Sequence, residues 1–406
     1  MIPPRILAIL PGFVASTIMD VVKPLMRLDA QGAVRFDATL EFYPSSKAIK
    51  KADLVIFCRN TDPRFRHHLD SVYSISTPFI YDLDDNFFEV PLDTVSGEYH
   101  RNPSQLECLE QYIRQAALVR VYSKELQDRL ATLDVNSSLM SPPLNWELIS
   151  TRKPAPESKP IKIVYATSRK EDPLSALFIE ALTLVQKTNP EDVEIHFWGQ
   201  YPNNFVQSSN VKFHPFLKNY DKFLLTFSEQ EYDIGLAPLI DDPFHRSKTN
   251  NKYREYGACE IAGIYSNVPV YADFVKNLDT GILVENTVED WYSALMQLIN
   301  DPDLRRRIGL AARQDVLKRY PPGHFENDWA NQIKHVLGQS GKEPTLQHKT
   351  EIHTGTIQTA QQRPADKPGS VIKSLAKKSL ADWKFSFHTQ LFNLVMMFKI
   401  NFRKKL

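Results

Sequence analysis

The sequence is poor in glycine and cysteine, and these shortages argue against several common classes of protein. Only 14 of its 406 residues are glycine, and neither the G-x-G-x-x-G of dinucleotide sites nor a Walker loop occurs. The 3 cysteines are widely spaced and form no C-x-x-C pair. This argues against a structural zinc site and favours a reducing compartment, the cytoplasm. NAD- and ATP-dependent enzymes of those types are not expected, and we predict no cofactor.

Long hydrophobic runs and a strong charge of one sign are missing as well. No uninterrupted apolar stretch approaches the roughly 20 residues that span a bilayer. The start of the chain, MIPPRILAILPGF, predicts a β-strand rather than a signal peptide. The net charge is +1, which gives no indication of nucleic-acid binding. Hydrophobic residues make up 42% of the chain and charged residues 24%, so most of it is expected to be globular.

Short apolar runs alternate with helix-sized segments, which is typical of β-α-β units and parallel sheets. The first predicted strands are RILAILP, DLVIFCRN, PFIYDLDD, LVRVYS and NSSLMSPP. After a hinge at 150–160, rich in Pro and Ser, the strand pattern restarts with IKIVYAT, VEIHFWG, VKFHPF, YDIGLAPL, NVPVYAD and TGILVE. The sequence thus predicts an α/β protein with two tandem Rossmann-like domains, residues 1–149 and 161–337, that face a cleft. The last helix of the second domain can pack back on the first.

The composition changes beyond residue 337. Residues 338–369 are polar without apolar periodicity, which predicts a disordered linker. Residues 370–406 carry eight Lys and Arg against one Asp, a net charge of +7, interleaved with aromatic and aliphatic residues. This pattern predicts a basic amphipathic helix on an anionic membrane surface, the inner face of the plasma membrane. A helix packed on the body or on a partner protein is the alternative.

Loops that follow strands are the first places to look for a site, because ligands of open α/β sheets bind beyond the carboxyl ends of the strands. Ser168, Arg169 and Lys170 follow IKIVYAT, and a helix with Asp172 near its start comes next. Backbone N–H groups at a helix N-terminus, together with two cations, suit a diphosphate. We predict a diphosphate site here, with a solvated charged loop as the alternative.

The segment after GLAPL, IDDPFHRSKTNNKYREYGACEIAGIYSNVPVYAD, together with TGILVENTVEDWYSALMQLINDPDLRRRIGLAAR, resembles the carboxyl-terminal domain of GT-B glycosyltransferases of the family 4 (group 1) type. The stretches ADLVIFCRNTDP and TPFIYDLDDNFFEVP resemble the acceptor-side half, so the resemblance covers about residues 1–337. It implies metal-independent transfer of a sugar from a nucleotide-diphosphate sugar to an acceptor hydroxyl, with retained anomeric configuration and no enzyme nucleophile. Membrane attachment of residues 370–406 would fit a lipid-linked or envelope-bound acceptor, so we expect a role in cell-envelope or surface polysaccharide synthesis on a glycan or lipid-linked acceptor.

The resemblance also implies roles for single residues. Glu255 matches the family's glutamate that binds the ribose hydroxyls, a task suited to a carboxylate that accepts from both. Arg169 and Lys170 match the cations that neutralise the departing diphosphate. Lys248 and Lys252, near the start of the Glu255 helix, can add to that cationic wall, or they can form a solvated helix face.

One position departs from the family pattern. Eight residues before the ribose-binding glutamate, where the family often has a second glutamate that contacts the donor sugar, this chain has Ser247. Asp241 or Asp242 can take over that contact from the preceding loop. Gly199 ends the predicted strand VEIHFWG, and Gly235 lies in the predicted strand YDIGLAPL. Both are expected to let the backbone approach the nucleotide closely.

The motif DLDD in PFIYDLDDNFFEVP contains a literal D-x-D, by which another class of glycosyltransferases holds a divalent metal. If the strand continues through it, Asp82 and Asp84 share one face and Asp85 takes the other. If the strand stops at Tyr81, all three can reach the cleft. We predict an acceptor-side role for these aspartates and for Arg59, with capping of the next turn as the alternative.

Two other functions remain open from the sequence. A GT-B relic that binds a nucleotide or a glycan without transfer is favoured by Ser247 at the usual glutamate position. A metal-dependent enzyme of the other glycosyltransferase fold is suggested by the D-x-D, but a complete second α/β domain follows that motif.

Overall fold

Two parallel β-sheets of six strands organise the part of the chain that the structure describes. The computed structural model describes residues 2–44, 46–150, 160–167, 174–202 and 205–339. The strands of the first sheet are β1 (Arg5–Leu10), β2 (Arg35–Leu40), β3 (Leu54–Cys58), β4 (Phe79–Leu83), β5 (Leu118–Val121) and β6 (Ser137–Leu139). Those of the second are β7 (Ile161–Ala166), β8 (Val193–Gly199), β9 (Val211–Pro215), β10 (Ile234–Ala237), β11 (Ala262–Ser266) and β12 (Ile282–Val284). Both sheets belong to one compact unit, and the predicted pair of doubly wound domains is confirmed.

Helices connect the strands in both halves. The first half contains α1 (Lys23–Ala30), α2 (Ser46–Lys51), α3 (His67–Ser74), α4 (Val95–His100), α5 (Pro103–Gln115) and α6 (Lys124–Ala131), with a π-helical turn at Thr17–Val22 and 3₁₀ turns at Pro63–Phe65 and Trp146–Leu148. The second half contains α7 (Ser175–Thr188), α8 (Tyr220–Ser228), α9 (Pro243–Arg246), α10 (Asn251–Ala258), α11 (Pro269–Ala272), α12 (Val288–Asn300), α13 (Pro302–Arg319) and α14 (His324–Gln339).

The strand order places one switch point in each sheet. The first sheet has the order β2-β1-β3-β4-β5-β6 and the second β12-β11-β10-β7-β8-β9. The direction in which strands are added therefore reverses between β1 and β3 and between β7 and β10. At such a reversal the connecting loops diverge and leave a crevice at the carboxyl ends of the strands. The two crevices are the expected positions of a site.

Burial follows the apolar runs of the sequence. Every residue of β3, β4 and β5 is buried, as expected for strands covered by helices on both faces. The sequence did not reveal β2, an edge strand of alternating polar residues (RFDATL) whose register with β1 pairs Arg5 with Arg35 and Leu10 with Leu40. An edge strand is half solvated, so its sequence lacks the continuous apolar run by which the inner strands were found.

Helix α14 returns from the second half of the chain and packs against the first sheet. Its residues Phe325, Trp329 and Ile333 are buried in the same core cluster as Val21 and Leu25. The indole N–H of Trp329 donates to the backbone oxygen of Asp20 at 2.8 Å. The last helix thus packs on the first domain and ties the two halves of the chain together.

Two predicted boundaries differ from the structure. The segment NVPVYAD, predicted as a strand, lies after β11 and contains the short helix α11, because Pro269 suits the first turn of a helix and offers no N–H to a strand ladder. The predicted linker begins at Gly338, but α14 continues to Gln339. The rest of the linker, the tail 370–406 and residues 151–159 of the hinge lie outside the described residues.

Within the described ranges, no helix combines the length and the apolar character needed to cross a bilayer.

Candidate functional site

A cavity of about 450 Å³ lies where the carboxyl ends of the two sheets meet. The loops after β1, β4, β7, β8, β9 and β10 contribute to its wall, together with one face of α10. Its polar and charged lining residues include Ser16, Asp20, Asp84, Asp85, Tyr122, Tyr165, Thr167, Lys218, Tyr220, Lys248, Thr249, Asn251, Lys252, Arg254, Glu255 and Tyr271. Both switch points open into this cavity, since Ser16 follows β1, Thr167 follows β7 and Pro238 follows β10.

Glu255 is a buried carboxylate of the cavity wall with two side-chain partners. It lies on α10 and is only 3% exposed. Its Oε1 accepts a hydrogen bond from the Tyr220 hydroxyl at 2.8 Å, and its Oε2 accepts from Lys252 Nζ at 2.7 Å. Burial, and then the Glu255 charge, raise the pKa of Tyr220 well above its usual range, so the phenol stays protonated and donates. The structure thus brings together Glu255 and Lys252, two of the residues singled out from the sequence.

Lys248 contacts the opposite side of the cleft. Its Nζ donates to Asp85 Oδ1 at 2.5 Å and lies 3.9 Å from the ring centroid of Phe244. Beside this ion pair, Asn86 Nδ2 donates to Ser247 Oγ at 3.0 Å. Asp85 and Asn86, in the loop after β4, thus contact Lys248 and Ser247, which precede α10. Ser247, which stands at the family's usual glutamate position, serves in this contact between the domains.

Asp84 and Asp85 line the cavity, and Arg59 lies behind them. Arg59 Nη1 donates to Asp84 Oδ2 at 2.8 Å, and Arg59 Nη2 donates to Asp85 Oδ2 at 3.3 Å. Arg59 has a φ of 62°, a left-handed backbone conformation that a non-glycine residue adopts at a cost. Of the four residues predicted for the acceptor side, Arg59, Asp84 and Asp85 thus lie together, and Asp82 does not join them.

Asp82 lies in the core of the first sheet instead of on the cavity wall. Strand β4 extends to Leu83, so the Asp82 side chain packs within the sheet and is 0% exposed. Its Oδ1 accepts from Arg120 Nε at 2.9 Å and from the Tyr122 hydroxyl at 2.8 Å. The two carboxylates of the D-x-D therefore pair with two different arginines, Arg120 and Arg59, and this arrangement does not favour a shared metal ion.

The two glycines predicted to approach a nucleotide have other close neighbours. A Cβ on Gly235 would lie 2.6 Å from ring atoms of Tyr256, so this glycine makes room for a buried tyrosine. Gly199 does line the cavity, but its φ is +85° and a Cβ there would lie 2.0 Å from the carbonyl oxygen of Thr167. At both positions a side chain would clash with the protein itself, so a glycine is required there whether or not a nucleotide binds.

The aspartates predicted to replace the missing glutamate are engaged elsewhere. Asp241 pairs with Arg246 at 2.6 Å, and both side chains are more than two-fifths exposed. Asp242 caps α9 by accepting from the backbone N–H of His245 at 2.8 Å, and it also contacts the His245 ring. Neither aspartate is among the described residues that line the cavity. Ser168, Arg169 and Lys170 lie outside the described residues, so the predicted diphosphate loop stays a prediction.

Several cavity residues were missed from the sequence. Arg254 is 4% exposed, lines the cavity beside Glu255 and donates to the backbone oxygen of Pro143 in the other half of the chain. Asp20 lies on the π-helical turn and is 8% exposed. Tyr220, the first residue of α8, also lines the cavity. The available signal for Asp20 is that it is the one carboxylate in the mostly apolar segment TIMDVV.

A sequence comparison finds a family model that matches part of the second half of the chain. The family model described as Glycosyl transferases group 1 matches residues 162–301. A curated relative, the poly(ribitol-phosphate) alpha-N-acetylglucosaminyltransferase of Staphylococcus aureus (strain COL), is 25% identical over 169 residues. That match covers 38% of this chain and 31% of the relative, so the chain spans less than a third of the length of that enzyme.

Solved structures agree with the observed architecture. Sucrose-phosphate synthase from Thermosynechococcus elongatus superposes with a TM-score of 0.59 at 13% identity, over 82% of this chain and 99% of that one. Anabaena HepE in complex with UDP and glucose superposes with a TM-score of 0.57 at 13% identity, over 82% and 100% of the two chains. At such identities the likeness concerns the fold. Residues 162–301 thus match the group 1 glycosyl transferases, and the described chain has the two-domain GT-B fold that its sequence resemblance implied.

Proposed function

We propose that this protein is a retaining glycosyltransferase that moves a sugar from a nucleotide-diphosphate sugar to an acceptor hydroxyl. The observation that carries the proposal is Glu255, a 3% exposed carboxylate held by Tyr220 and Lys252 at the wall of the cavity between the two sheets. A carboxylate with two oxygens can accept from both ribose hydroxyls of a nucleotide. Because the Tyr220 hydroxyl holds one of its oxygens, the carboxylate is oriented before the donor arrives.

The cations on the same side of the cavity suit the diphosphate of the donor. Lys248, Lys252 and Arg254 line this wall, and Lys218 follows β9 nearby. Lys248 and Lys252 are paired with carboxylates in the absence of a donor, and in the proposed complex they exchange these partners for phosphate oxygens. Arg169 and Lys170, beyond the described ranges, are proposed to contribute in the same way. Positive charge placed where the departing diphosphate gains negative charge lowers the barrier of transfer.

In the proposed reaction the acceptor oxygen bonds to the anomeric carbon on the face that the diphosphate leaves. The bond from that carbon to the diphosphate oxygen breaks, and the electron pair departs with the nucleoside diphosphate. The proton of the acceptor hydroxyl passes to a departing phosphate oxygen, so no enzyme nucleophile and no cofactor are required. The protein supplies orientation and charge, and the closed cleft limits hydrolysis.

The comparisons suggest which donors to test first. HepE was solved with UDP-glucose, and the S. aureus relative is named for the transfer of N-acetylglucosamine. We therefore propose a UDP-sugar as the donor and a glycan or lipid-linked acceptor of the cell envelope or surface polysaccharide.

The proposal is tested by thermal unfolding of the full chain with a panel of nucleotide sugars, followed by an assay for release of nucleoside diphosphate. A ligand at a concentration a hundred times its Kd stabilises the native state by about 2.7 kcal/mol, a readily visible rise in Tm. We expect such a rise with one UDP-sugar, and nucleoside diphosphate release that continues in EDTA.

The other outcomes point to the other functions. Stabilisation without release, even over long incubation, would support a non-catalytic binding module. Release that EDTA abolishes would support a metal-dependent enzyme. A chain that no nucleotide stabilises would contradict a donor site around Glu255.

We further propose that residues 370–406 attach the enzyme to an anionic membrane surface, where an envelope acceptor is found. The support is compositional: a net charge of +7 interleaved with aromatic and aliphatic residues. Each basic residue near an anionic surface adds about 1 kcal/mol. The full chain is expected to float with vesicles that contain phosphatidylglycerol at low salt, whereas a chain truncated after residue 369 stays in the dense fraction. Equal flotation of both chains would contradict the proposal.

A further inference from the structure

The loop and turn after β1 place one carboxylate, Asp20, on the cavity wall. Residues Thr17–Val22 form a π-helical turn, a rare conformation that often occurs at functional sites. The Thr17 hydroxyl donates to the Gly12 oxygen at 2.7 Å and accepts from the Val14 N–H at 3.1 Å. From the other side, Trp329 of α14 donates to the Asp20 backbone oxygen. The turn is thus held at its first residue and at Asp20 itself, and the Asp20 side chain lines the cavity.

The Asp20 carboxylate is buried and has unused hydrogen-bonding capacity. It is 8% exposed, and it makes no hydrogen bond or ion pair with any residue that the structure describes. The neighbouring Asp84 Oδ1 is also buried and accepts no hydrogen bond within the described ranges. Buried polar oxygens in proteins are almost always hydrogen-bonded. The unpartnered Asp84 Oδ1, next to the Asp20 carboxylate on the same cavity wall, therefore marks a place where a ligand supplies donor groups.

The electrostatics of the wall are consistent with a ligand that donates hydrogen bonds. Burial raises the pKa of Asp20 well above its ordinary value, and the nearby charges of Asp84 and Asp82 raise it further. Arg254 and Arg59 act in the opposite direction. Burial and Asp85 likewise raise the pKa of Asp84, whereas the Arg59 charge, a hydrogen bond with the Ser16 side chain and the Lys248 charge lower it. A phosphate or a carboxylate placed here would be repelled, whereas an uncharged hydroxyl group would not.

We propose that Asp20, together with Asp84, accepts hydrogen bonds from uncharged hydroxyl groups of the acceptor and so positions the acceptor for attack. This inference rests on the proposed glycosyltransferase function and adds to it the residues and the ligand chemistry of the acceptor side. The cavity then has two chemically distinct walls. One wall is cationic, with Lys248, Lys252 and Arg254 for the diphosphate; the other is acidic, with Asp20 and Asp84 for hydroxyl groups.

The test uses water as the simplest hydroxyl acceptor, since slow hydrolysis of the donor requires a positioned water. UDP release from UDP-glucose or UDP-N-acetylglucosamine, whichever stabilises the parent chain, is measured in the full-length Asp20→Asn variant. A hydrogen bond to a charged group contributes enough that its loss is expected to lower the rate by at least about tenfold, measured at the pH where the rate of the parent chain no longer rises. The UDP-induced rise in Tm is expected to stay at the parent value, because Asp20 lies on the acceptor side.

The pH profile separates a direct role from a structural one. In the parent chain the rate is expected to rise with pH as the carboxyl pair loses its proton, because a carboxylate is the stronger acceptor. In Asp20→Asn the rise is expected to move to lower pH, since removal of one charge makes Asp84 easier to ionise. Asp37→Asn, at an exposed carboxylate of β2, is the matched control and is expected to behave like the parent.

Each outcome decides for or against the proposal. Parent-like release and an unchanged pH profile in Asp20→Asn would overturn it. Loss of the UDP-induced shift in that variant would also overturn it, because the carboxylate would then serve the fold or the donor. Asp84→Asn leaves the π-helical turn untouched and is the second variant, expected to slow release in the same direction. If the parent chain neither binds nor hydrolyses any nucleotide sugar, the proposed function itself fails, and this is recognised before any variant is made.

Discussion

Replacement of Glu255 by alanine is expected to weaken binding of the nucleotide sugar by about a hundredfold, or about 3 kcal/mol. The carboxylate loses its contacts with the two ribose hydroxyls, and hydrogen bonds to charged groups contribute about 1.5–3 kcal/mol each. The variant also leaves Lys252 and the buried Tyr220 hydroxyl without their shared partner. Titration calorimetry with UDP measures the change directly, and the donor KM is expected to rise by the same factor.

Glu260 provides a matched control for Glu255. It follows α10 in a left-handed backbone conformation with a φ of 57°, and its carboxylate lies 3.4 Å from Arg313. It is not among the described residues that line the cavity. Glu260→Ala is therefore expected to leave UDP binding within a factor of two or so of the parent value, as is typical of positions outside the site. Equal effects of the two substitutions would contradict the assignment of Glu255 to the ribose.

The sequence predicted site residues best where a charged side chain follows a strand. Lys252 and Glu255 were named from a motif after a strand, and the structure brings both to the cavity wall. Asp84, Asp85 and Lys248 were named for the same reason and also line it. Strand ends were a good guide because a parallel sheet gathers all its carboxyl-terminal loops at one edge.

The sequence was less informative where a residue has a local partner that only the fold reveals. Asp82 belongs to the same four-residue stretch as Asp84 and Asp85, but the strand is two residues longer than its apolar run suggested, and this buries Asp82 beside Arg120. Gly235 was assigned to a ligand, yet the ring of Tyr256, 21 residues away along the chain, occupies the space. Such partners come from distant segments, and local patterns do not record them.

Asp20 illustrates a third kind of limit. Its position depends on a π-helical turn, and a π-turn changes which face of a helix each side chain takes. Helical periodicity of 3.6 residues therefore misplaces it. The turn is further fixed by Trp329, which lies more than 300 residues later in the chain. Neither constraint is visible in the residues around Asp20.

Replacement of Arg120 by alanine is expected to lower the free energy of unfolding by about 3–5 kcal/mol, as found when one partner of a buried ion pair is removed. Arg120 and Asp82 are both 0% exposed, and the Arg120 guanidinium lies 3.6 Å from the ring centroid of Trp329. Arg120 also donates to Gln332 of α14. The substitution therefore removes the charge partner of Asp82 and loosens α14. Urea unfolding at pH 8 measures the change.

The pH dependence identifies Asp82 as the source of that loss. Burial raises the pKa of Asp82 to about 6, although the Arg120 charge lowers it. The folded chain thus binds a proton more readily than the unfolded chain does, and stability due to Asp82 falls as the pH rises from about 4 to about 6. Without Arg120 the pKa of Asp82 rises further. Asp82 must then be ionised without a partner at pH 8, which lowers the free energy of unfolding, whereas at pH 5 it can stay protonated in the folded chain. The loss of stability in Arg120→Ala is therefore expected to be smaller at pH 5.

A double variant, Asp82→Leu with Arg120→Met, replaces the pair by apolar side chains. It is expected to be more stable at pH 8 than Arg120→Ala, because no charge is left buried alone. If Arg120→Ala loses the same free energy of unfolding at both pH values, and the double variant is no more stable than Arg120→Ala, then the lost packing against Trp329 explains the effect and the buried charge does not.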